Sequence, residues 1–449
     1  MTSTLTADSA RDGAVVAAQA LAAAGLRAGE RVAIVTPEHR GTQQEAALLQ
    51  GLALALALGA LRSGIIPVMI NPLLTADERE YIIGDAGPSL VVGDGAALRS
   101  LFRADGAPVE LAEHPLARPM HYTSGTTGRP KGVWTADLSE AESAALWSEE
   151  QRQWGFDHDD VSLVHGPLCH SGPLRYALSV LLAGGSVVLP GWFTQEAAAQ
   201  ALVEERPTTA FVVPSHMQRL LAADDVPPSP YRLLTHAGAA CPAGLKRAIH
   251  EWAGVDRVWE FYGSTEGQFS ACSGPEWEER PGTVGRAREG RRLFVDDDVI
   301  WCEAPEHARF SYWRDEAKTA RAWRLTGSGR AFTVGDLGRL DPQGYLFIDG
   351  RREDLIISGG VNVYPAEVEA VLGECPGVED VVVFGRDDPR WGQRVCAAFT
   401  GDADSDDLRR WGHLHLAGYK RPKQVHHVSD FPRTASGKIR RSQLADAEQ

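Results

Sequence analysis

Tyr122-Thr123-Ser124-Gly125-Thr126-Thr127-Gly128-Arg129-Pro130-Lys131-Gly132-Val133 is the run on which the reading of this chain turns. Glycine lets the backbone approach a ligand closely, and successive backbone N–H groups form a concavity suited to anions. Thr123, Ser124, Thr126 and Thr127 add hydroxyl donors, and Lys131 adds a compact positive charge fit for a polyphosphate. The order is not that of a Walker A loop, because Gly132 rather than Ser or Thr follows Lys131. That counts against a P-loop kinase or NTPase. The plainer alternative is an exposed turn, since Gly, Ser, Thr and Pro all favour turns. So many hydroxyls and glycines in one ordered run favour a phosphate loop.

Working outward, strand-like and helical patterns alternate on both sides of this loop. Ala14 to Ala24 reads as an alanine-rich helix ending at Gly25, and Arg31 to Thr36 as a short buried strand. Ala46 to Arg62 is a helix, Ile65 to Ile70 a strand, Ala76 to Ile83 a helix closed by Gly84, and Leu90 to Val92 a strand. The alternation resumes with Ser186 to Leu189, Gln195 to Glu205, Thr209 to Val213, Leu245 to Trp252 and Arg257 to Phe261. Such alternation predicts parallel sheets covered by helices, an α/β fold. Near Gly350 the texture changes. A strand from Tyr345 to Ile348 meets the charged turn Gly350-Arg351-Arg352-Glu353-Asp354, followed by a helix from Pro365 to Leu372 and strands Val381 to Phe384 and Val395 to Phe399. Two domains are therefore expected: residues 1–350, and a small α+β domain of residues 351–449 joined by a polar hinge.

Composition narrows the classes of function. At 449 residues the chain exceeds a single compact core, and 43% apolar and 23% charged residues are ordinary for a globular protein. A formal charge of −15 argues against nucleic acid as a partner, because such proteins usually carry a basic face. The six cysteines are scattered without a C-x-x-C pair, against a zinc knuckle or disulfide scaffold and in keeping with a reducing compartment. The N-terminus lacks a signal-peptide pattern. Ala46 to Leu61, the most apolar stretch, is shorter than the ~20 residues of a membrane span and reads as a buried helix. A cytoplasmic protein with no membrane span is expected.

Further motifs accompany the phosphate loop in a fixed order. Gly29 to Val35 and Gly64 to Pro72 form the first strand-rich segments. Tyr262-Gly263-Ser264-Thr265-Glu266, Thr333-Val334-Gly335-Asp336-Leu337-Gly338, Gly350-Arg351-Arg352-Glu353-Asp354 and Pro432-Arg433-Thr434-Ala435-Ser436-Gly437-Lys438-Ile439 follow. Taken together, they resemble the adenylate-forming superfamily of acyl-CoA synthetases, firefly luciferase and peptide-synthetase adenylation domains. The resemblance covers nearly the whole chain. It implies a large N-terminal domain of helix-covered sheets, five-layer and αβαβα-like, plus a small α+β C-terminal domain on a hinge.

The resemblance also implies a chemistry and its residues. A carboxylate attacks the α-phosphorus of ATP to give an acyl-AMP and pyrophosphate, so preorganised cations and donors dominate. Lys438 would bridge the substrate carboxylate and the α-phosphate; the plain alternative is a solvated tail lysine. Glu266 would bind Mg²⁺ with Thr126 or Thr127, hard oxygen ligands suiting that ion; a helix-terminal charge is the alternative. Thr123, Ser124, Gly125, Gly128 and Lys131 would cradle phosphates, with Gly263, Ser264 and Thr265 in the second nucleotide motif. Asp336 would accept hydrogen bonds from both ribose hydroxyls with Arg351 beside it, or else be a surface turn aspartate. Tyr262 would stack on adenine, a core tyrosine being its competitor. The backbone of Ala237-Gly238-Ala239-Ala240 would pass the base and the acyl pocket. His170 matches a position near the acyl entrance, where a structural histidine is an equal reading. The stretch His165 to Arg175, with Val213 to Met217 and thus His216, is expected to line the acid pocket. His413/His415 and His426/His427 lack co-ligands and read as surface, and Asp296-Asp297-Asp298 as a solvated turn.

Ser358-Gly359-Gly360-Val361-Asn362-Val363-Tyr364-Pro365-Ala366-Glu367-Val368-Glu369 resembles the acyl-CoA synthetase form of its motif, where Gly359 and Gly360 would border a pantetheine tunnel. Transfer of a small acid to coenzyme A is therefore the leading expectation, with ATP and Mg²⁺. Alternatives are transfer to a carrier protein or an amine, a nitrite-activating diazotase-type relative, or a catalytically silent nucleotide-binding homologue. A homodimer is left open. The chain departs from the pattern in Glu353, which stands where the family has Asp or Lys. It also departs in the short segments Gly93 to Met120 and Pro281 to Thr333.

Overall fold

A computed structural model describes the chain except for residues 1, 37–40, 105, 124–129, 136–137, 224, 352–353, 359–360, 389–390, 434–438 and 447–449. Its contacts divide the chain into two compact units: residues 1–293 with 302–332, and residues 294–301 with 333–449.

In the first unit, Arg31–Val35 lies between Ile66–Ile70 and Leu90–Val92 in a three-stranded parallel sheet, with Val32 opposite Pro67 and Leu90. Four of the five residues of Arg31–Val35 are buried, as expected of a strand covered on both faces. Parallel strands need crossovers, and the helices Gln43–Arg62 and Ala76–Ala86 supply them. A second sheet has eight strands. Ser186–Leu189, Val161–Val164, Thr209–Val212, Leu233–His236 and Val258–Gly263 run parallel in that spatial order. Ser3–Thr6 closes one edge antiparallel, and Gln268–Ser273 with Arg286–Ala287 closes the other. A small antiparallel sheet joins His121–Thr123, Lys131–Trp134 and Ser311–Tyr312.

The helix Gln43–Arg62 is, among the described residues, the one long and apolar enough to cross a membrane, so its length exceeds the shorter run read from sequence. It is a core helix: 67% of its most apolar window is buried inside the protein. It crosses the helix Ala7–Ala23 where Gly59 meets Ala14 and Ala17, an approach so close that a Cβ on Gly59 would overlap the Ala14 carbonyl oxygen.

Several boundaries differ from expectation for local reasons. The first helix begins at Ala7 rather than Ala14, because Thr6 caps it by accepting from the Ser9 N–H, although its first turns are polar. The helix opening at Ala76 carries a capping box between Thr75 and Glu78 and runs through Gly84 to Ala86. Gly87, with φ +55°, ends it.

In the second unit, Asp336–Leu340 and Leu346–Arg351 form a hairpin. A five-stranded sheet follows, centred on the long pair Val378–Asp388 and Gly392–Gly401. Its side chains alternate between faces. Val381, Val383, Val395, Ala397 and Phe399 pack with Val368 and Leu372 of the helix Pro365–Leu372, while Val382, Phe384, Cys396 and Ala398 pack with Phe431 and Leu444. The strands from Thr333 onward thus group with the second unit, ahead of the hinge motif at 350.

Candidate active site

The carboxyl ends of the parallel strands gather most of the expected nucleotide and acid residues of the first unit. In open α/β sheets ligands bind at this edge, where strands give way to loops and helix N-termini. Val213 follows Thr209–Val212, Ala237 and Gly238 follow Leu233–His236, and Gly263 with Ser264 ends Val258–Gly263. Gly238 has φ +88°, which glycine adopts without strain, and a Cβ there would stand 3.5 Å from Val213. Gly238 and Ala239 are exposed, and Ala237 is buried. A broad surface hollow of ≈ 400 Å³ beside Pro228, Trp252 and Arg257 lies at the opposite, amino ends of these strands.

Ser264, Thr265 and Glu266 form the turn between Val258–Gly263 and Gln268–Ser273, closed by Ser264 N–H donating to the Gly267 carbonyl at 2.8 Å. A Cβ on Gly267 would strike the Phe332 ring, so the turn can pack down only with glycine. The buried Ser264 hydroxyl has no partner among the described residues. Glu266 is 7% exposed, and its Oε1 accepts the Tyr312 hydroxyl at 2.9 Å. Among the described residues nothing engages Oε2. A single fixed carboxylate with a spare hard oxygen fits a magnesium ion. The Tyr262 ring lies 4.7 Å from that of Phe269, which is wholly buried.

The hairpin carrying the phosphate loop sets Thr123 opposite Lys131 and Tyr122 opposite Gly132. Lys131 Nζ is 3.7 Å from Asp315. Tyr122 donates to Asp85 at 2.7 Å, and burial with that carboxylate raises its phenol pKa. Ser124, Gly125, Thr126, Thr127 and Gly128 lie outside the described residues, as do Lys438, Glu353, Gly359 and Gly360.

On the acid side, His170 precedes the helix Ser171–Leu182 as its N-cap residue. His216, on the helix Pro214–Leu221, stacks on Phe193 at 4.5 Å, and burial pulls its pKa down to about 4. His165 pairs with the Tyr231 hydroxyl at 3.0 Å, and burial pulls its pKa to about 3. Burial also pushes the Cys169 and Cys241 thiols up to about 12, so neither is a nucleophile at neutral pH.

In the second unit, the register of the hairpin places Asp336 directly opposite Arg351. Gly335, with φ +80°, donates to the Thr333 hydroxyl at 3.0 Å and shapes the turn before Asp336, which is 7% exposed.

Some participants gave no local sign in the sequence. Tyr312 and Asp315 reach Glu266 and Lys131 from the short stretch Pro281 to Thr333, where no site residue was expected. Arg118, Glu150 and Arg291 line a cavity beside Thr265 with Arg175. No motif marks them, because each comes from a different part of the chain.

The chain as a whole has known relatives. Residues 2–299 match the AMP-binding enzyme family and residues 367–438 the AMP-binding enzyme C-terminal domain. The chain belongs to the AMP-binding, adenylate-forming family of enzymes. It is 32% identical over 445 residues to a 2-succinylbenzoate–CoA ligase of Listeria monocytogenes, covering 95% of this chain and 91% of that one. It is 31% identical to a feruloyl-CoA synthase of an Amycolatopsis species, covering 95% and 90%. The crystal structure of ATP-bound MatB from Rhodopseudomonas palustris superposes with a TM-score of 0.83 at 28% identity, over 98% of this chain and 94% of that one.

Proposed function

We propose that this enzyme is an AMP-forming acid–thiol ligase. It joins a small carboxylic acid to ATP as an acyl-AMP, releases pyrophosphate, and passes the acyl group to the thiol of coenzyme A. The observation that carries the reading is the buried Glu266 turn at the carboxyl edge of the parallel sheet, with one oxygen held by Tyr312 and one left for a cation. Glu266 would hold magnesium there, and the ion would neutralise charge on the polyphosphate. The relatives named above, both coenzyme A ligases, support the thiol acceptor.

Each group has a task in this reading. Backbone N–H groups and hydroxyls of Thr123, Ser124, Gly125, Thr126, Thr127 and Gly128, with Lys131, hold the phosphates. Thr126 completes the metal site. Tyr262 and the backbone at Gly238 and Ala239 flank the adenine, with Gly263, Ser264 and Thr265 beside the α-phosphate. Asp336 and Arg351, opposite each other in the backbone register of their hairpin, take the ribose. His170, Val213, His216 and Ala237 border the acid. Lys438 neutralises the charge that develops between carboxylate and α-phosphate. Residues 351–449 then turn about Glu353 relative to residues 1–350, bringing Gly359 and Gly360 to the pantetheine arm.

Acid-dependent ATP–pyrophosphate exchange with Mg²⁺, run over aliphatic, aryl and amino acids and nitrite, tests the first half-reaction. AMP release with and without coenzyme A tests the second. The expected result is exchange with one class of acid and faster AMP release with the thiol. ATP binding without exchange on any acid overturns the adenylation, and exchange with no response to coenzyme A overturns the acceptor.

A further inference from the structure

Against the hairpin His121–Thr123/Lys131–Trp134, and bordered by Thr265 and Gly267 on either side of Glu266, lies a cavity of ≈ 60 Å³. Its charges do not balance. Its walls carry three guanidinium groups, Arg118, Arg175 and Arg291, and one carboxylate, Glu150. Glu150 is already committed: it accepts from Arg288 at 3.1 Å, Gln268 at 3.3 Å and Trp154 at 3.2 Å, with Arg175 at 3.7 Å. Burial works to raise its pKa, but Arg175 and Arg288 hold it down at about 2. Arg291 pairs with Glu149 at 2.9 Å.

Arg118 is left over. Among the described residues it has no carboxylate partner. Its guanidinium donates only to the Thr135 hydroxyl at 3.3 Å and to the carbonyls of Arg309 and Thr265 at 3.4 and 3.5 Å. All three are longer than an ordinary N–H···O bond. Burial, with Arg175 and Arg291 nearby, brings its pKa down to about 10, and the more distant Glu150 and Glu266 carboxylates only partly offset this. Two more donors on the cavity wall, Arg291 Nε and Trp147 Nε1, are buried without an acceptor among the described residues. Sequestered cations and donors without acceptors are costly. An anion that arrives with the ligand accounts for all of them at once.

We propose that the cavity receives a carboxylate at the far end of the acid substrate, so that the acid activated is a short dicarboxylic acid and Arg118 determines that specificity. The proposal rests on the acid-activating reading above. A water needs about 10–15 Å³ of such space, so the cavity accommodates roughly four to six non-hydrogen atoms. That is a carboxylate with a short methylene stem, for which Val133, Leu174 and Leu178 provide apolar walls.

The test is ATP–pyrophosphate exchange on the whole protein with paired acids of equal chain length, one ending in methyl and the other in carboxylate, repeated with Arg118→Met. The dicarboxylic acid is expected to exceed its partner in kcat/KM by roughly 10- to 100-fold, as a charge-assisted hydrogen bond allows. Arg118→Met is expected to erase that ratio while its thermal midpoint equals or exceeds that of the wild type, because a poorly paired buried charge is gone. Equal or better rates with monocarboxylic acids overturn the proposal but leave acid activation standing, and exchange with nitrite alone does the same. The wild-type ratio decides the matter even if the variant does not fold. Exchange with no acid, while ATP binds, overturns the acid-activating reading and the proposal with it.

Discussion

In the proposed reaction Lys438 and Glu266 bring opposite charges to the same polyphosphate, and they answer to different tests. Removing the Lys438 ammonium takes away charge needed only as the new bond forms. Lys438→Ala is therefore expected to slow pyrophosphate exchange by on the order of 10²–10³-fold or more. ATP affinity measured by calorimetry should hardly change; equal exchange rates would remove Lys438 from the mechanism. Glu266→Gln keeps the shape of the turn and can still accept the Tyr312 hydroxyl, but it loses the charge that holds a divalent cation. A shift of the Mg²⁺ requirement by about 10- to 100-fold is expected, with partial recovery at high Mg²⁺. An unaltered magnesium curve would sink the metal role. Glu266 was legible in the sequence because Tyr262 to Glu266 is a contiguous motif. Tyr312 was not, because it lies 46 residues away and only the fold brings it to the carboxylate.

Elements show the same contrast between local and distant causes. Strands such as Arg31–Val35 and Ser186–Leu189 were legible as unbroken apolar runs, since a strand covered on both faces needs no polar alternation. The edge strand Ser3–Thr6 was missed, as its four residues carry no pattern of their own and pair only because Ser186–Leu189 offers an open edge. The tight crossing of the first two helices also escaped, although it rests on one glycine. Gly59→Ala would push a methyl into the Ala14 carbonyl, at a cost of about 2 kcal/mol. A fall of roughly 3 °C in the unfolding midpoint of this large unit is expected. Gly84→Ala, in a helix with nothing within 4 Å of the new methyl, is expected to raise the midpoint slightly. Two equal shifts would show that helix propensity and not the crossing is at work. At the hinge, Glu353→Pro fixes a backbone torsion. It should leave pyrophosphate exchange intact and slow thioester formation, whereas equal losses in both would count against rotation there.

The whole molecule keeps several histidines neutral at acidic pH values where water would protonate them. Burial pulls His121 and His165 to about 3 and His216 to about 4, and it also lowers His236, whose Nε2 accepts from Lys246 at 2.7 Å. Their folded pKa values lie below the unfolded value near 6.5, so the unfolded chain binds more protons between those limits. The stability they contribute is present above about pH 6.5 and is lost as pH falls toward 4, by up to about 1.4 kcal/mol per pH unit for each. Thermal midpoints measured from pH 8 to 4.5 should therefore drop steeply below pH 6.5. A flat profile would mean these rings are charged in the folded protein.

Chain order, the α/β alternation and the adenylate-forming motifs were determined by the sequence alone. They depend on contacts within a few residues: apolar runs, capping residues, and glycines with hydroxyls around a phosphate. The tertiary structure alone decided that Tyr312 holds Glu266, that Asp336 and Arg351 are opposite in the hairpin register, and that Arg118, Arg175 and Arg291 share one cavity. A single arginine in a linear sequence looks like any solvated charge. Its meaning depends on the distance to the nearest carboxylate, and that distance is set only when strands and helices far apart in the chain are packed together.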